Sequence, residues 1–249
     1  MADTHQPDIK KFANCEPVSF LSDGFRLKGM LHLPPEDAPP CVIGSHGFLS
    51  DGNSPKQIAL ANHLNQKGIA YFRFDHRGCG TSEGVFKNDM TFVGRSNDLE
   101  NAILFIKNRP DMGERLGLFG SSMGGASVIS VAPRFNPAAI VILAAPVSLS
   151  TINTNPENLA TLPLSDPSSL ETRFDFDLTK TLHHLKNILI FHGEADQVVP
   201  ASNADEIFRC AQNPKRLIIQ QKGDHQMSGV PHQLEFIREA TKWFFERLL

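Results

Sequence analysis

Six short apolar runs punctuate this 249-residue chain, and four of the five spacers between them carry helical spacing; that alternation limits the fold more than any other feature. The runs are Cys41 to Ser45, Ile69 to Asp75, Arg115 to Phe119, Ala139 to Ala144, Asn187 to Phe191 and Arg216 to Gln221. Most are continuous rather than alternating, the pattern of strands covered on both faces. Upstream, Val18 to Leu21 and Phe25 to Leu33 flank a Ser22-Asp23-Gly24 turn and read as a β-hairpin. Helical spacing falls at Pro55 to Gln66, Val93 to Asn108, Ser122 to Ala132, Ala201 to Cys210 and Pro231 to Leu248. In the last of these, Phe236, Ile237, Ala240, Trp243, Phe244 and Leu248 form one apolar stripe that should lie against a sheet. A hairpin followed by repeated βα units predicts an α/β chain with a mostly parallel eight-stranded sheet and helices on both faces.

One segment breaks the rhythm. From about 148 to 180 the chain is rich in Asn, Thr, Ser, Pro and Leu, and Pro156, Pro163 and Pro167 interrupt any long helix. An insertion of this length reads as a small lid over the sheet's C-terminal edge, within a single domain spanning 1–249. Composition narrows the partners: 41% hydrophobic residues, 20% charged and a net charge of -3 without a charge block give no signal for nucleic acid or an anionic membrane. Cys15, Cys41, Cys79 and Cys210 are scattered, with no CxxC pair, and read as free thiols rather than a disulfide scaffold or a metal site. The longest apolar run, Ala138 to Val147, is about half a membrane span, and the N-terminus lacks a signal-peptide core, so the expected location is cytoplasmic. The residues carry no signal of oligomeric state.

The chemistry centres on Gly120-Ser121-Ser122-Met123-Gly124, between an apolar run and a helix start. A serine nucleophile needs this layout: a strained strand-to-helix turn projects its hydroxyl, and glycines let strand and helix approach. Ser122 stands at the centre of the glycine spacing; Ser121 beside it does not. A serine hydroxyl needs a base, usually His, oriented by a carboxylate. Asp196 and His225 stand just past the two last strands, where open α/β sheets place their sites. His46, His76 and His192 also lie near strand ends and compete for the base's role, as Glu194 and Asp224 compete with Asp196. After the first of the six runs, His46-Gly47-Phe48 offers the Phe48 N–H, and the helix start offers the Met123 N–H, as two donors to a developing oxyanion. A side chain at Gly47 would obstruct the approach of substrate. Phe174 and Phe176 in the insertion are candidate acyl-group contacts, or anchors of the lid.

Other chemistries lack their parts. Gly78-Cys79-Gly80 invites a dinucleotide reading, but Glu83 occupies the place of the third glycine. No GKS or GKT phosphate loop and no HExxH helix occurs, so neither a cofactor nor a metal is expected.

Together His46-Gly47-Phe48, the stretch Asp75 to Gly84, Gly120 to Gly125, Asp196 to Pro200 and Gly223-Asp224-His225 resemble the α/β-hydrolase superfamily. Within it they are similar to the small-lid carboxylesterase and serine-aminopeptidase-like group, which includes cinnamoyl and feruloyl esterases. The resemblance implies an α/β-hydrolase sheet, a Ser122 nucleophile, a His225 base, an Asp196 orienting acid and an oxyanion hole of Phe48 and Met123 amides. The expected activity is hydrolysis of small soluble carboxylic esters through an acyl-enzyme. Two alternatives stand beside it: an amide- or peptide-directed hydrolase, with Asp175 or Asp177 as a source of α-amino recognition, and a noncatalytic ligand-binding module on the same fold.

Overall fold

A computed structural model describes residues 14–153 and 169–249. Eight strands form one sheet: β1 (Cys15–Ser22), β2 (Phe25–His32), β3 (Cys41–Ser45), β4 (Ala70–Phe74), β5 (Leu116–Ser121), β6 (Ala139–Leu143), β7 (Ile188–Gly193) and β8 (Lys215–Gln220). Their order is β1-β2-β4-β3-β5-β6-β7-β8. The pairs β1/β2 and β2/β4 are antiparallel and the remaining five are parallel, as expected of a hairpin followed by βα units.

The continuous apolar runs have a direct physical reason. Ile140 and Ile142 of β6 enter one core while Val141 and Leu143 enter the other. One face is covered by α1 (Pro55–Asn65) and the C-terminal helix, the other by α3 (Phe92–Lys107), α4 (Met123–Phe135) and the helix before β8. The short α2 (Phe86–Asp89) precedes α3; α5 (Ser169–Phe174), α6 (Ser202–Cys210) and α7 (Val230–Leu248) follow α4. The stripe on α7 is buried as predicted, with Phe236, Ala240 and Phe244 under the sheet.

Boundaries differ in three instructive places. β7 runs two residues past Phe191, so His192 is a buried strand residue rather than part of the following loop. Helix α4 continues through Pro133 to Phe135 and stops at Asn136, whose φ of 45° takes the chain out of the helix. Third, α2 was not anticipated from the sequence; Asp89 accepts from the Val85 N–H at 2.7 Å across its single turn.

The insertion expected at about 148–180 lies partly outside the described residues, which resume at 169. Its two ends are described and are joined: Ser148 bridges Asp177, and the Leu178 N–H donates to the Val147 carbonyl at 2.8 Å. The outgoing end is tied to the loop after β7, with the Asn153 N–H on the Val198 carbonyl at 2.8 Å. The returning end is tied to α2, where the Arg173 guanidinium donates to the carbonyls of Phe86, Lys87 and Met90.

Candidate active site

Ser122 sits between the last residue of β5 and the first of α4 with φ 53° and ψ −122°, a conformation that side chains rarely adopt. Its N–H donates to the Leu143 carbonyl at 2.8 Å, and its own carbonyl accepts from the Gly125 and Ala126 amides, so the strain is held from both sides. The flanking glycines are required by contact. A Cβ at Gly124 would fall 2.1 Å from the Ser45 carbonyl oxygen, and one at Gly120 would fall 2.4 Å from that of Gly124. Strand and helix therefore close on each other and push the serine outward.

Two further connections at the same end of the sheet bring the partners. His225 follows β8, and its Nε2 lies 3.0 Å from Ser122 Oγ. Asp196 follows β7, and its Oδ2 lies 2.7 Å from His225 Nδ1. Oδ1 of the same carboxylate accepts from the Val198 and Val199 amides at 2.9 and 2.8 Å. Burial raises the Asp196 pKa, but hydrogen bonds from His192, His225 and Val199 outweigh it and hold the group well below the usual carboxylate range. The His225 loop is itself braced. Lys56 Nζ at the start of α1 donates to the Gln226 carbonyl at 2.6 Å, and Asp224 accepts from the Ser228 N–H at 2.8 Å.

The competing candidates go elsewhere. His192 is fully buried beneath Asp196, with Nε2 on the Val199 carbonyl at 2.8 Å and 3.3 Å from Asp196 Oδ2. His46 and His76 form a buried pair 4.9 Å apart between ring centres, and burial holds both below the ordinary histidine value, His76 at about 4. Glu194 accepts from the Lys222 N–H at 3.0 Å, and Ser121 ends β5 in register with Leu143. Among the described residues only His225 hydrogen-bonds the Ser122 hydroxyl.

The His46-Gly47-Phe48 turn is built to aim an amide. The His76 N–H donates to His46 Nε2 at 3.1 Å, which leaves the proton on Nδ1, and Nδ1 donates to the Gly47 carbonyl at 2.7 Å. In a planar trans peptide, fixing that carbonyl fixes the Phe48 N–H on the opposite side. Met123 opens α4, so its N–H has no acceptor within the helix and stands at the positive end of the helix dipole. A Cβ at Gly47 would meet Ser121 O at 3.6 Å and Ser122 Cβ at 3.8 Å: it would fit, but it would fill the space beside the serine.

Phe174 is completely buried, edge-on to the Phe48 ring at 4.8 Å, and Phe176 stacks on Phe92 at 4.2 Å. Both rings are enclosed by protein and brace the returning end of the insertion; Phe174 borders the site through Phe48.

Sequence reading missed the layer beneath. Arg95 on α3 is completely buried and donates to the His46 carbonyl, and burial lowers it to about 10. One turn on, Asp98 takes a forked contact from Arg77 at 2.7 and 3.0 Å. Burial pushes Asp98 up, yet His76 and Arg77 hold it well below the usual carboxylate range. A signal existed: Arg95 and Asp98 interrupt the buried stripe of Phe92, Leu99, Ala102, Ile103 and Ile106.

Comparisons with known proteins agree with the architecture. The family model described as Hydrolase_4, serine aminopeptidase S33, matches residues 37–167, more than half the chain and including Ser122. The uncharacterized protein YfhR of Salmonella typhimurium is 29% identical over 262 residues, covering 98% of this chain and 87% of that one. Est1E from Butyrivibrio proteoclasticus, solved with ferulic acid bound, superposes with a TM-score of 0.77 at 22% identity, over 92% of this chain and 98% of its own. The Pyrococcus furiosus esterase Pf2001 superposes at 0.80 with 18% identity, over 100% and 96%. Sheet order, sharp turn and family match converge: the chain belongs to the serine aminopeptidase S33 family of α/β hydrolases.

Proposed function

We propose that this hydrolase cleaves small soluble carboxylic esters through an acyl-enzyme, with Ser122 as nucleophile. The observation that carries the reading is the unbroken relay from Asp196 Oδ2 to His225 Nδ1 at 2.7 Å and from His225 Nε2 to Ser122 Oγ at 3.0 Å, on a strained turn. His225 takes the hydroxyl proton as Oγ attacks the ester carbonyl. The oxyanion collects the Phe48 and Met123 amides, where each donor is worth a factor of ~10²–10³. His225 then protonates the departing alkoxide and activates water to release the acid. Asp196 stays ionised and fixes the imidazole's tautomer. A single domain over 1–249, with the segment around 148–180 as its lid, fits this reading, and the four unpaired thiols fit a cytoplasmic setting. Among the described residues no helix is long and apolar enough to cross a membrane.

The peptide-directed reading has less support. Asp177 is occupied by the Thr179 N–H and hydroxyl at 2.9 and 2.7 Å, which leaves Asp175 to recognise a free α-amino group. Purified protein is expected to release nitrophenol from nitrophenyl acetate with a burst and to leave aminoacyl anilides intact. Wild-type rates in Ser122→Ala would defeat the assignment.

A further inference from the structure

The outer face of the ribbon β1-β2-β4 is built differently from the rest of the sheet. Cross-strand partners share a face, so Pro17, Met30 and Arg73 line up on it, as do Ser19 and Lys28. The alternate residues Phe20, Leu27 and Phe72 turn into the core. This outer face lines a cleft of about 380 Å³, bounded by Gly52, Asn53 and Thr81. That volume is within the range of small-molecule sites.

Three cations line the cleft, Arg26, Lys28 and Arg73, and none forms an ion pair among the described residues. The one carboxylate in the lining, Asp75, is already engaged: Oδ1 accepts from the Gly52 N–H at 2.8 Å, and Oδ2 from the Thr81 N–H at 2.8 Å and hydroxyl at 3.3 Å. Two nearby carboxylates serve backbone amides, Asp51 that of Asn53 and Glu83 that of Arg26, each at 2.7 Å. Arg73 is half-buried and held by neutral acceptors: His32 Nε2 at 2.8 Å, the Gly52 carbonyl at 3.1 Å and Asn53 Oδ1 at 2.5 Å. A guanidinium fixed in place with no ion pair of its own, and with Asp75 and Asp51 as charges beyond ion-pair distance, is suited to receive an anion.

We propose that this cleft is a second ligand site that binds the phosphate of a small phosphomonoester. Arg73, Lys28 and Arg26 take the dianion, and Pro17 and Met30 face its organic part. The site shares no residue with Ser122, Asp196 or His225, and the proposal is independent of the reaction they perform.

Titration calorimetry on the full-length protein tests it, in phosphate-free buffer at constant ionic strength, with glycerol 3-phosphate, inorganic phosphate and glycerol. Glycerol 3-phosphate is expected to bind saturably, one per chain, and glycerol to give no signal. Arg73→Gln and Lys28→Gln should each weaken binding by about tenfold or more, while Ser122→Ala leaves it unchanged. Inorganic phosphate binding as tightly as glycerol 3-phosphate would support the anion site with free phosphate as its occupant; weaker binding would support the phosphomonoester. The Lys28 side chain makes no hydrogen bond within the described residues, so Lys28→Gln should fold normally. Saturable heat from neither phosphate compound, or an affinity untouched by Lys28→Gln, would overturn the proposal.

Discussion

At the scale of single residues, the proposed site divides into groups assigned to react and groups that hold them in place. Ser122→Ala should lower kcat by ~10⁴–10⁶-fold with the fold intact, since among the described residues the hydroxyl hydrogen-bonds only His225. Asp196→Asn should lower kcat by about 10⁴-fold, because an amide at Oδ2 no longer selects the Nδ1–H tautomer of His225; steady-state kinetics on nitrophenyl acetate reads both. The proposed reacting groups, which the structure brings within hydrogen-bond distance of one another, could be picked out in the sequence, since each stands at the end of a recognisable apolar run, and glycine spacing marks the serine. The groups that hold them could not. Arg95 meets the His46 carbonyl across 49 residues and Lys56 meets Gln226 across 170, contacts that only the assembled sheet creates.

At the scale of elements, α3 and α4 do more than cover the sheet. Helix α4 can touch β3 only through glycine, so Gly124→Ala must displace the Ser45 and His46 carbonyls, 2.1 and 2.5 Å from the new Cβ. The expected loss is about 1–3 kcal/mol or more, read by urea denaturation, with activity falling further than stability because the same carbonyls precede the turn proposed to bind the oxyanion. In helix α3, Arg95→Met relieves a buried cation but leaves the buried His46 carbonyl without its donor, so stability should fall by about 1–3 kcal/mol, while kcat should drop by about tenfold as the His46-Gly47-Phe48 turn loosens. Strand positions were readable because burial on both faces writes an unbroken apolar run; β8 departs from this as an edge strand that is half-exposed along its length. The single turn of α2 was not readable, since four residues are too few for helical periodicity to register.

For the whole molecule, buried titratable groups set the response to acid. Burial lowers His32 and His76 to about 4 and holds His46 well below its ordinary value, so the folded state binds fewer protons than the unfolded chain below about pH 6.5. Stability should fall as pH drops from there towards 4. Asp98 and Asp196 have depressed values, so their contribution is fully present above the unfolded carboxylate value of about 3.9 and is lost as pH falls below it. Urea midpoints between pH 7 and 3 should show both stages, and Asp98→Asn should flatten the second.

The outermost position of β8 has a further consequence. Among the described residues this strand pairs only with β7, and the chain reaches His225 five residues after leaving it. Fraying of that last ladder would carry the imidazole away from the serine while seven strands stayed zipped. On warming, turnover should therefore fade several degrees before circular dichroism reports melting, and should return on cooling: the enzyme is switched off at its margin before it is lost at its centre.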